Sequence, residues 1–279
     1  MPVSHLSLKN TALYKMLASI WRNKNLIYQM TRRDISGRYK GSVMGLFWSF
    51  INPIFMLAVY TIVFSVVFKA KWGAGAVNEP KTQFAVILFV GMITHGFFAE
   101  TLMRAPGLII QHANYVKKVV FPLEILPVVT LLSVLFHSFI SFCVLLIAFI
   151  TFNGFLHWTI IFAPLVFLPL VILTLGLAWL LSSLGVYIRD IGQSIGIIMT
   201  VVMFLSPVFY PLSALPKSFQ HIVLLNPLTF IIEQARTVII WGGLPNFAGL
   251  AVYTLISVII MVLSYIWFQK TRKGFADVI

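Results

Sequence analysis

Charge is the scarcest property of this 279-residue sequence. Only 10% of its residues are Asp, Glu, Lys or Arg, whereas a soluble domain carries about 25%. Hydrophobic residues make up 60% of the chain and aromatic residues 15%. A chain this apolar would aggregate in water, so the composition excludes an ordinary soluble domain. It predicts an all-α protein that crosses a membrane several times.

Cysteine and catalytic motifs are also nearly absent. Cys143 is the single cysteine, which excludes an intramolecular disulfide and a thiolate metal cluster. The six histidines are scattered, with no close pair on one helix face, which argues against zinc or iron. No Walker-type phosphate loop, no G-x-S-x-G and no H-E-x-x-H occurs, and residues 37–42 (GRYKGS) have the wrong spacing for such a loop. We therefore predict no catalytic residue, no metal and no cofactor in this chain.

Acidic side chains are missing from the interior of the apolar runs. Glu100 and Glu124 lie at the edges of runs, and Asp190 lies beyond one. Ion-coupled carriers place acids or histidines at mid-membrane, and only His95 and His137 are candidates here. Helix-packing hydrogen bonds are the simpler role for both. The chain is thus expected to lack its own energy source, so that it is either passive or driven by another subunit.

Apolar runs of about 20 residues, enough to span the roughly 30 Å hydrocarbon core, recur along the chain. Six transmembrane helices are predicted, at residues 43–68, 84–103, 126–152, 160–186, from 191 to a break at Ser206-Pro207, and 247–268. Most basic residues then fall on one side, including four within residues 31–40, and both termini are predicted to be cytoplasmic. This topology explains the net charge of +13 better than a nucleic-acid partner does.

The segments between the spans carry further predictions. Residues 11–23 have an apolar and a polar face, which indicates a helix lying in the membrane surface or, alternatively, one packed on a soluble partner. A short interfacial helix is predicted within residues 104–122. Within residues 207–245, apolar pieces of about ten residues are cut by Pro207, Pro211, Pro216 and Pro227, which predicts short re-entrant helices. Glu100 and Arg104, four residues apart, are expected to form an ion pair.

Four segments together give the chain a family resemblance. They are RRDISGRYKGSVMGLFW before the first span, VKKVVFPLEILP before the third, VYIRDIGQ after the fourth, and SPVFYPLSALP with LLNPLTFIIEQAR before the sixth. With them the chain resembles the ABC-2 type permeases that export polysaccharides such as O-antigen, capsule and teichoic acid. The resemblance implies a multi-pass subunit of a bacterial inner (cytoplasmic) membrane that exports a lipid-linked polysaccharide. It also implies a homodimer bound to two copies of a separate ABC ATPase, which would hold ATP and Mg, among membrane lipids.

The resemblance divides the chain and assigns two cytoplasmic sites. The implied regions are a cytoplasmic N-terminal region with the interfacial helix (1–42), the ABC-2 type transmembrane domain (43–269) and a cytoplasmic tail (270–279). The residues that would face the carrier's pyrophosphate, where the substrate enters, are Arg32, Arg33, Arg38 and Lys40. Plain positive-inside anchoring is the alternative for these. The residues that would dock on the ATPase are His112, Asn114, Tyr115, Lys117 and Lys118. A solvated loop whose lysines meet lipid phosphates is the alternative.

Two further sites are implied within the membrane. The residues that would line the channel, where aromatic faces let sugars slide, are Trp48, Asn52, Phe55, Thr200 and Phe204. Contact with lipid or a neighbouring helix is the alternative. The residues that would form the outer gate are Pro207, Phe209, Tyr210 and Pro211.

Three other functions remain open at this point. An ABC-2 permease for a drug or small lipid would share these features. A membrane glycosyltransferase or acyltransferase would need clustered acids or histidines at the interface, whereas the acids here are isolated. An ion-coupled carrier would need titratable groups at mid-membrane, which are nearly absent.

Overall fold

A computed structural model describes residues 12–68, 72, 81–117 and 121–279, and every regular element in this part of the chain is helical. The all-α fold class is thereby confirmed. The predicted N-terminal tail, most of the loop before the second span and Lys118 lie outside the described residues. In chain order the helices are α1 (Ala12–Arg22), α2 (Lys24–Gly37), α3 (Trp48–Tyr60), α4 (Lys81–Arg104), α5 (Leu108–Gln111), α6 (Ala113–Val116), α7 (Ile125–Asn153), α8 (Ala163–Tyr187), α9 (Ile191–Leu205), α10 (Lys217–Leu225), α11 (Pro227–Ile239), α12 (Phe247–Thr271) and α13 (Phe275–Val278).

Five helical stretches are long and apolar enough to cross a membrane, and they correspond to the first four and the last predicted spans. They are Gly45–Phe64, Phe84–Arg104, Ile125–Asn153, Trp158–Tyr187 and Phe247–Val278. The predicted fifth span corresponds to α9, whose 15 residues give about 22 Å of helix. It ends before Ser206, where the sequence predicts a break. The helices α10 and α11 meet at 97°, and the crossings number six if this bent pair counts as one.

The bend between α10 and α11 has a local cause in Asn226-Pro227. The Asn226 side-chain oxygen accepts a hydrogen bond from the Leu228 backbone N–H at 2.9 Å and so caps α11. Pro227 suits the first helical position because its missing N–H would be unpaired there anyway. Asn226 Nδ2 also donates to Ser206 Oγ at 2.9 Å. The bend is therefore fastened to the end of α9.

The core lies around α4, the second candidate span. In its most apolar stretch 72% of the residues are buried, compared with 17% in the first span and 22% in the last. The helix is surrounded by α3, α7, α8, α9 and α11. Beside it, α8 packs closely on α12 because Gly176 has no side chain: a Cβ there would lie 2.7 Å from Met261 Cα. The first span is left with a large uncovered face.

The first span changes helix type twice, which the sequence does not predict. A 3₁₀ turn at Gly45–Phe47 leads into α3, and a π-helical segment, Thr61–Val67, continues from it. The wider π turn contains Phe64, whose ring stacks on Phe84 of α4 at 5.6 Å. Irregular helix here coincides with the approach of α3 to the core.

The region before the first span holds two helices, whereas the sequence predicts one. The first, α1, lies close to its predicted position. The second, α2, covers residues for which the sequence predicts no helix, and it packs on α7 through a narrow apolar stripe that includes Ile27 and Met30. We call the end of the bundle with α1, α2 and the last turns of α12 the N-terminal end. The far end carries the starts of α4 and α12.

Candidate functional site

Two of the predicted residue groups meet at one cavity. The α2–α7 cavity, of about 1060 Å³, opens at the N-terminal end between α2, the end of α4, the α5–α6 segment and the start of α7. From the predicted substrate-access group, Arg33 and Arg38 line it, and from the predicted coupling group, His112, Asn114 and Tyr115 do. The other two residues of the substrate-access group, Arg32 and Lys40, are exposed and lie outside the cavity. A single chamber thus adjoins both predicted sites.

Ion pairs close one wall of this cavity by joining α2 to α4. Arg104 Nη2 lies 2.9 and 2.8 Å from the two carboxylate oxygens of Asp34, and Arg38 Nη2 lies 2.6 Å from Glu100 Oε1. The predicted pair within α4, Glu100 with Arg104, is present at 3.9 Å. The pairs between helices are thus tighter than the pair that the spacing predicts. Arg38 is balanced by an acid, whereas Arg33 forms no ion pair within the described part of the chain.

Asp34 stays ionised because its surroundings favour the charged form. Burial raises its pKa, but hydrogen bonds from Ser133 and Arg104, with the charges of Arg104 and Arg38, outweigh burial. The net effect holds the pKa of Asp34 below its ordinary value of 3.8. The pair with Arg104 therefore persists throughout the neutral pH range.

The α5–α6 segment is two four-residue helices rather than the single short helix predicted. The break falls at His112, whose Nδ1 lies 2.8 Å from the Leu108 carbonyl oxygen. Its ring stacks on Tyr115 at 5.6 Å, and Tyr115 stacks on Phe121 at 4.3 Å. Leu108 and Ile109 are buried. This row of rings and the buried pair fix the segment to the bundle.

The outer side of the same segment is open. Asn114 and Lys117 are exposed. On the inner side, Gly185 of α8 lies so close to the Pro106 backbone that any Cβ would overlap the Pro106 carbonyl. The segment therefore rests directly on α8 and presents polar side chains outward.

The predicted channel-lining residues form exposed faces of their helices. In α3, Trp48, Asn52 and Phe55 are exposed, while the opposite face is buried. The buried residues of α3 are Ser49, Pro53 and Leu57. In α9, Thr200 and Phe204 are also exposed. The single chain leaves these faces free to contact lipid or another copy.

The end of α9 joins the predicted channel and gate groups through aromatic stacking. Phe209 stacks on Phe204 at 5.8 Å and on Phe64 at 6.2 Å. Tyr210 donates from its hydroxyl to the Phe204 carbonyl at 2.9 Å. Pro211 follows directly and is half-buried. We call the three rings of Phe64, Phe209 and Phe204 the far-end ring row.

Arg236 is a functional-looking residue that the sequence analysis does not single out. In the structure it is fully buried in α11. Its guanidinium donates to the carbonyls of Pro207 at 2.6 Å, Val208 at 3.1 Å and Ile87 at 3.3 Å. Glu233 Oε1 lies 2.9 Å away. One side chain thus fastens the predicted gate to α4.

Glu124 directly precedes α7, at the edge of a span as the sequence predicts, but its burial is not predicted. It is buried, with Oε1 accepting from Ser19 Oγ at 2.8 Å and Oε2 lying 2.7 Å from Arg272 Nη1. Its carbonyl accepts from Trp179 Nε1 at 2.9 Å. The sequence signals only a boundary here, because all its partners are distant in the chain.

The two mid-span histidines, His95 and His137, are predicted to form hydrogen bonds between helices, and the clearer contact is that of His95. His95 Nε2 lies 3.0 Å from the Met199 carbonyl and joins α4 to α9. His137 Nδ1 lies 3.5 Å from the Tyr39 hydroxyl, which also accepts a hydrogen bond from Ser49.

Comparison with known proteins gives a consistent picture. The family model described as ABC-2 type transporter matches residues 25–240. The chain is 25% identical over 267 residues to the O-antigen export system permease protein RfbA of Myxococcus xanthus, covering 95% of this chain and 99% of that protein. A protein of the same name from Klebsiella pneumoniae is 25% identical over 258 residues, at 91% and 95% coverage. The polysialic acid transport protein KpsM of Escherichia coli is 23% identical over 247 residues, at 86% and 91% coverage.

Proposed function

Because the chain belongs to the ABC-2 type transporter family, which matches residues 25–240, we propose that it is the transmembrane subunit of an ATP-driven exporter of lipid-linked polysaccharide. By family it is a transporter subunit rather than an enzyme. The substrate class is supported by relatives that are named for O-antigen export and polysialic acid transport and align over nearly their whole length. The observation that carries the mechanism is the α2–α7 cavity, where cations and the α5–α6 segment meet.

The substrate's pyrophosphate enters at the α2–α7 cavity, on the cytoplasmic side of the inner membrane. A forked guanidinium suits phosphate oxygens. Arg33 is the better candidate within the cavity, because Arg38 is already paired with Glu100. Arg32 and Lys40 act as an outer field that draws the anion towards this opening.

Two copies of the chain form the channel. The exposed face of α3 carries Trp48, Asn52 and Phe55, and only 17% of the first span's most apolar stretch is buried within one copy. A second copy would cover part of that face. Aromatic rings facing across the gap let sugar rings slide, since each contact is modest. The far-end ring row closes the channel at the other side when no polymer is present.

Energy comes from a separate ABC ATPase, two copies of which bind ATP and Mg and dock on the α5–α6 segment. The exposed Asn114 and Lys117 present donors to that partner, and the buried Leu108 and Ile109 transmit its movement into the bundle. Lys118 directly follows Lys117 in the sequence and adds a second positive charge to this part of the chain.

Charge reversal of the two lysines tests this coupling. We expect Lys117→Glu combined with Lys118→Glu to lower export in cells at least tenfold, while ATPase activity in the purified complex continues. The matched control, Lys24→Glu with Lys217→Glu, reverses two charges outside the segment and should leave export unchanged. Export at the parent level in the first variant would reject the docking surface. Co-purification with the ATPase and binding of a lipid-linked glycan, rather than a drug or small lipid, test the rest.

A further inference from the structure

A second basic cavity, which the proposed function does not use, lies between α1 and the last turns of α12. This α1–α12 cavity has a volume of about 710 Å³ and shares no residue with the α2–α7 cavity. Lys15 and Arg22 line it from α1, and Lys270 and Lys273 line it from the end of the chain. All four are exposed, and none forms an ion pair with another described residue. Four positive charges thus converge with no ion pair of their own among the described residues.

Among the described residues, Glu124 is the one acid that lines this cavity, and it is already paired. Glu124 has one carboxylate oxygen on the Ser19 hydroxyl at 2.8 Å and the other on Arg272 at 2.7 Å. Its side chain is only 8% exposed. The cavity is therefore strongly positive overall, and it suits an anion with several oxygen atoms, such as a phosphodiester.

The exposed face of α1 indicates where the cavity lies relative to the membrane. Leu13, Leu17 and Trp21, spaced four residues apart, are 39%, 55% and 73% exposed. An apolar row of this kind is stable when it faces acyl chains, with the tryptophan at the headgroup level. Lys15 and Arg22, seven residues apart, share the other side of the helix. They consequently stand at the depth of the lipid phosphates.

We propose that the α1–α12 cavity binds the headgroup of an anionic phospholipid, with its phosphodiester among Lys15, Arg22, Lys270 and Lys273. The acyl chains extend beside the exposed apolar face of α1, and for this reason a lipid fits the site better than a free phosphate. Basic pockets between helices at the cytoplasmic surface bind acidic headgroups in this way. The inference rests on the orientation in the proposed function, which puts the N-terminal end at the inner face. The lipid would link α1 to the end of α12. Within the chain these two regions are already linked by Glu124, which contacts Ser19 and Arg272.

Lipid binding by the full-length protein in a neutral detergent tests the proposal. Native mass spectrometry would count bound phosphatidylglycerol, with phosphatidylcholine and soluble glycerol 3-phosphate as separate probes. Each lysine near an anionic headgroup contributes about fivefold in affinity, so Lys270→Gln with Lys273→Gln should weaken phosphatidylglycerol binding about 25-fold. A second variant, Lys15→Gln with Arg22→Gln, should do the same from the other wall, and thermal unfolding checks that both remain folded. The control, Arg189→Gln with Lys217→Gln, removes two exposed charges outside the cavity and should bind like the parent.

Selective retention of phosphatidylglycerol that is lost in both cavity variants and kept in the control supports the site. Equal loss in the control would reduce the effect to diffuse surface charge and overturn the proposal. Equal binding of phosphatidylcholine, or displacement of the lipid by glycerol 3-phosphate at the same concentration, would also overturn it. Since this assay needs neither ATP nor a partner, its failure is distinguishable from failure of the export test at Lys117 and Lys118.

Discussion

The two ends of the bundle are held together by different chemistry. At the N-terminal end, ion pairs join different helices: Asp34 pairs with Arg104, and Glu100 pairs with Arg38. These four side chains are 29–42% exposed. At the far end a single fully buried cation, Arg236, binds backbone carbonyls that have no helical partner. Exposed pairs contribute little each, whereas a buried cation is costly to remove.

This difference separates an end whose helices can part at small cost from one whose backbone is held by a buried side chain. Each exposed pair exchanges readily with water, so α2 and α4 can part at small cost when a substrate or partner competes for the charges. At the far end the contacts of Arg236 must stay intact while the ring row opens, because losing them would leave buried carbonyls unpaired. Four sets of substitutions test this contrast, and their expected effects decrease in the order given below.

Arg236→Met should have the largest effect. It leaves the carbonyls of Pro207 and Val208 without their donor, which should lower the free energy of unfolding by about 3 kcal/mol. Thermal unfolding in detergent or nanodiscs measures this loss. The control Arg189→Met removes an exposed arginine outside this cluster and should cost far less. A stable Arg236→Met variant would show that the far end is not fastened in this way.

Arg272→Gln should come second, and it tests the one N-terminal pair that resembles the far end. Glu124 is 8% exposed, so loss of its partner should destabilise the fold by about 2 kcal/mol. Adding Glu124→Gln should restore part of that loss, since a neutral amide needs no cation. A double variant no better than Arg272→Gln alone would contradict a specific pairing.

Truncation of the far-end rings should have a smaller effect on stability and a clear one on permeability. Phe209→Ala with Tyr210→Ala removes a ring from the far-end ring row and the hydrogen bond to the Phe204 carbonyl. We expect the leak of small solutes from proteoliposomes to rise severalfold. The control Phe219→Ala, an exposed aromatic on α10, should not leak. Conductance equal to the parent would remove these residues from the gate.

Asp34→Asn should have the smallest effect, less than about 1 kcal/mol, because the pair with Arg104 is about one-third exposed. The pKa of Asp34 is lowered in the folded state, so its contribution is present above pH 3.8 and is lost as the pH falls through the folded pKa. The parent and the variant should therefore differ in stability at neutral pH and converge in acid. A constant difference at all pH values would exclude the charge as its cause.

The positions of the spans and of their breaks can be predicted from local sequence, whereas the ion pairs that join distant helices cannot. An apolar run of sufficient length is enough to predict α7 or α8. The bend at Asn226-Pro227 is likewise indicated by two residues that are adjacent in the chain. By contrast, Arg38 and Glu100 are 62 positions apart, and Arg272 and Glu124 are 148 apart. No periodicity within either segment encodes such a pair.

The burial of Arg236 and of Glu124 is not predicted by the sequence, for the same reason in both cases. Composition assigns an arginine or a glutamate to the water-facing side of a boundary, because burying a charge is costly. Arg236 and Glu124 escape that rule, since each finds its partners in another helix. The α2 helix was missed for a different reason. Its apolar stripe is narrow and interrupted by charges, and it is stabilised by packing on α7 rather than by its own sequence.

The contact between Gly185 and Pro106 has a mechanical consequence. Where two elements meet through flexible side chains, a small push is absorbed by changes of rotamer before any backbone moves. Here backbone meets backbone, so a displacement of Pro106 passes to α8 at once and, through Gly176, onward to Met261 in α12. The chain therefore contains a stiff linkage from its surface to its last span, and a bulkier residue at position 185 would lengthen that linkage and shift its resting position.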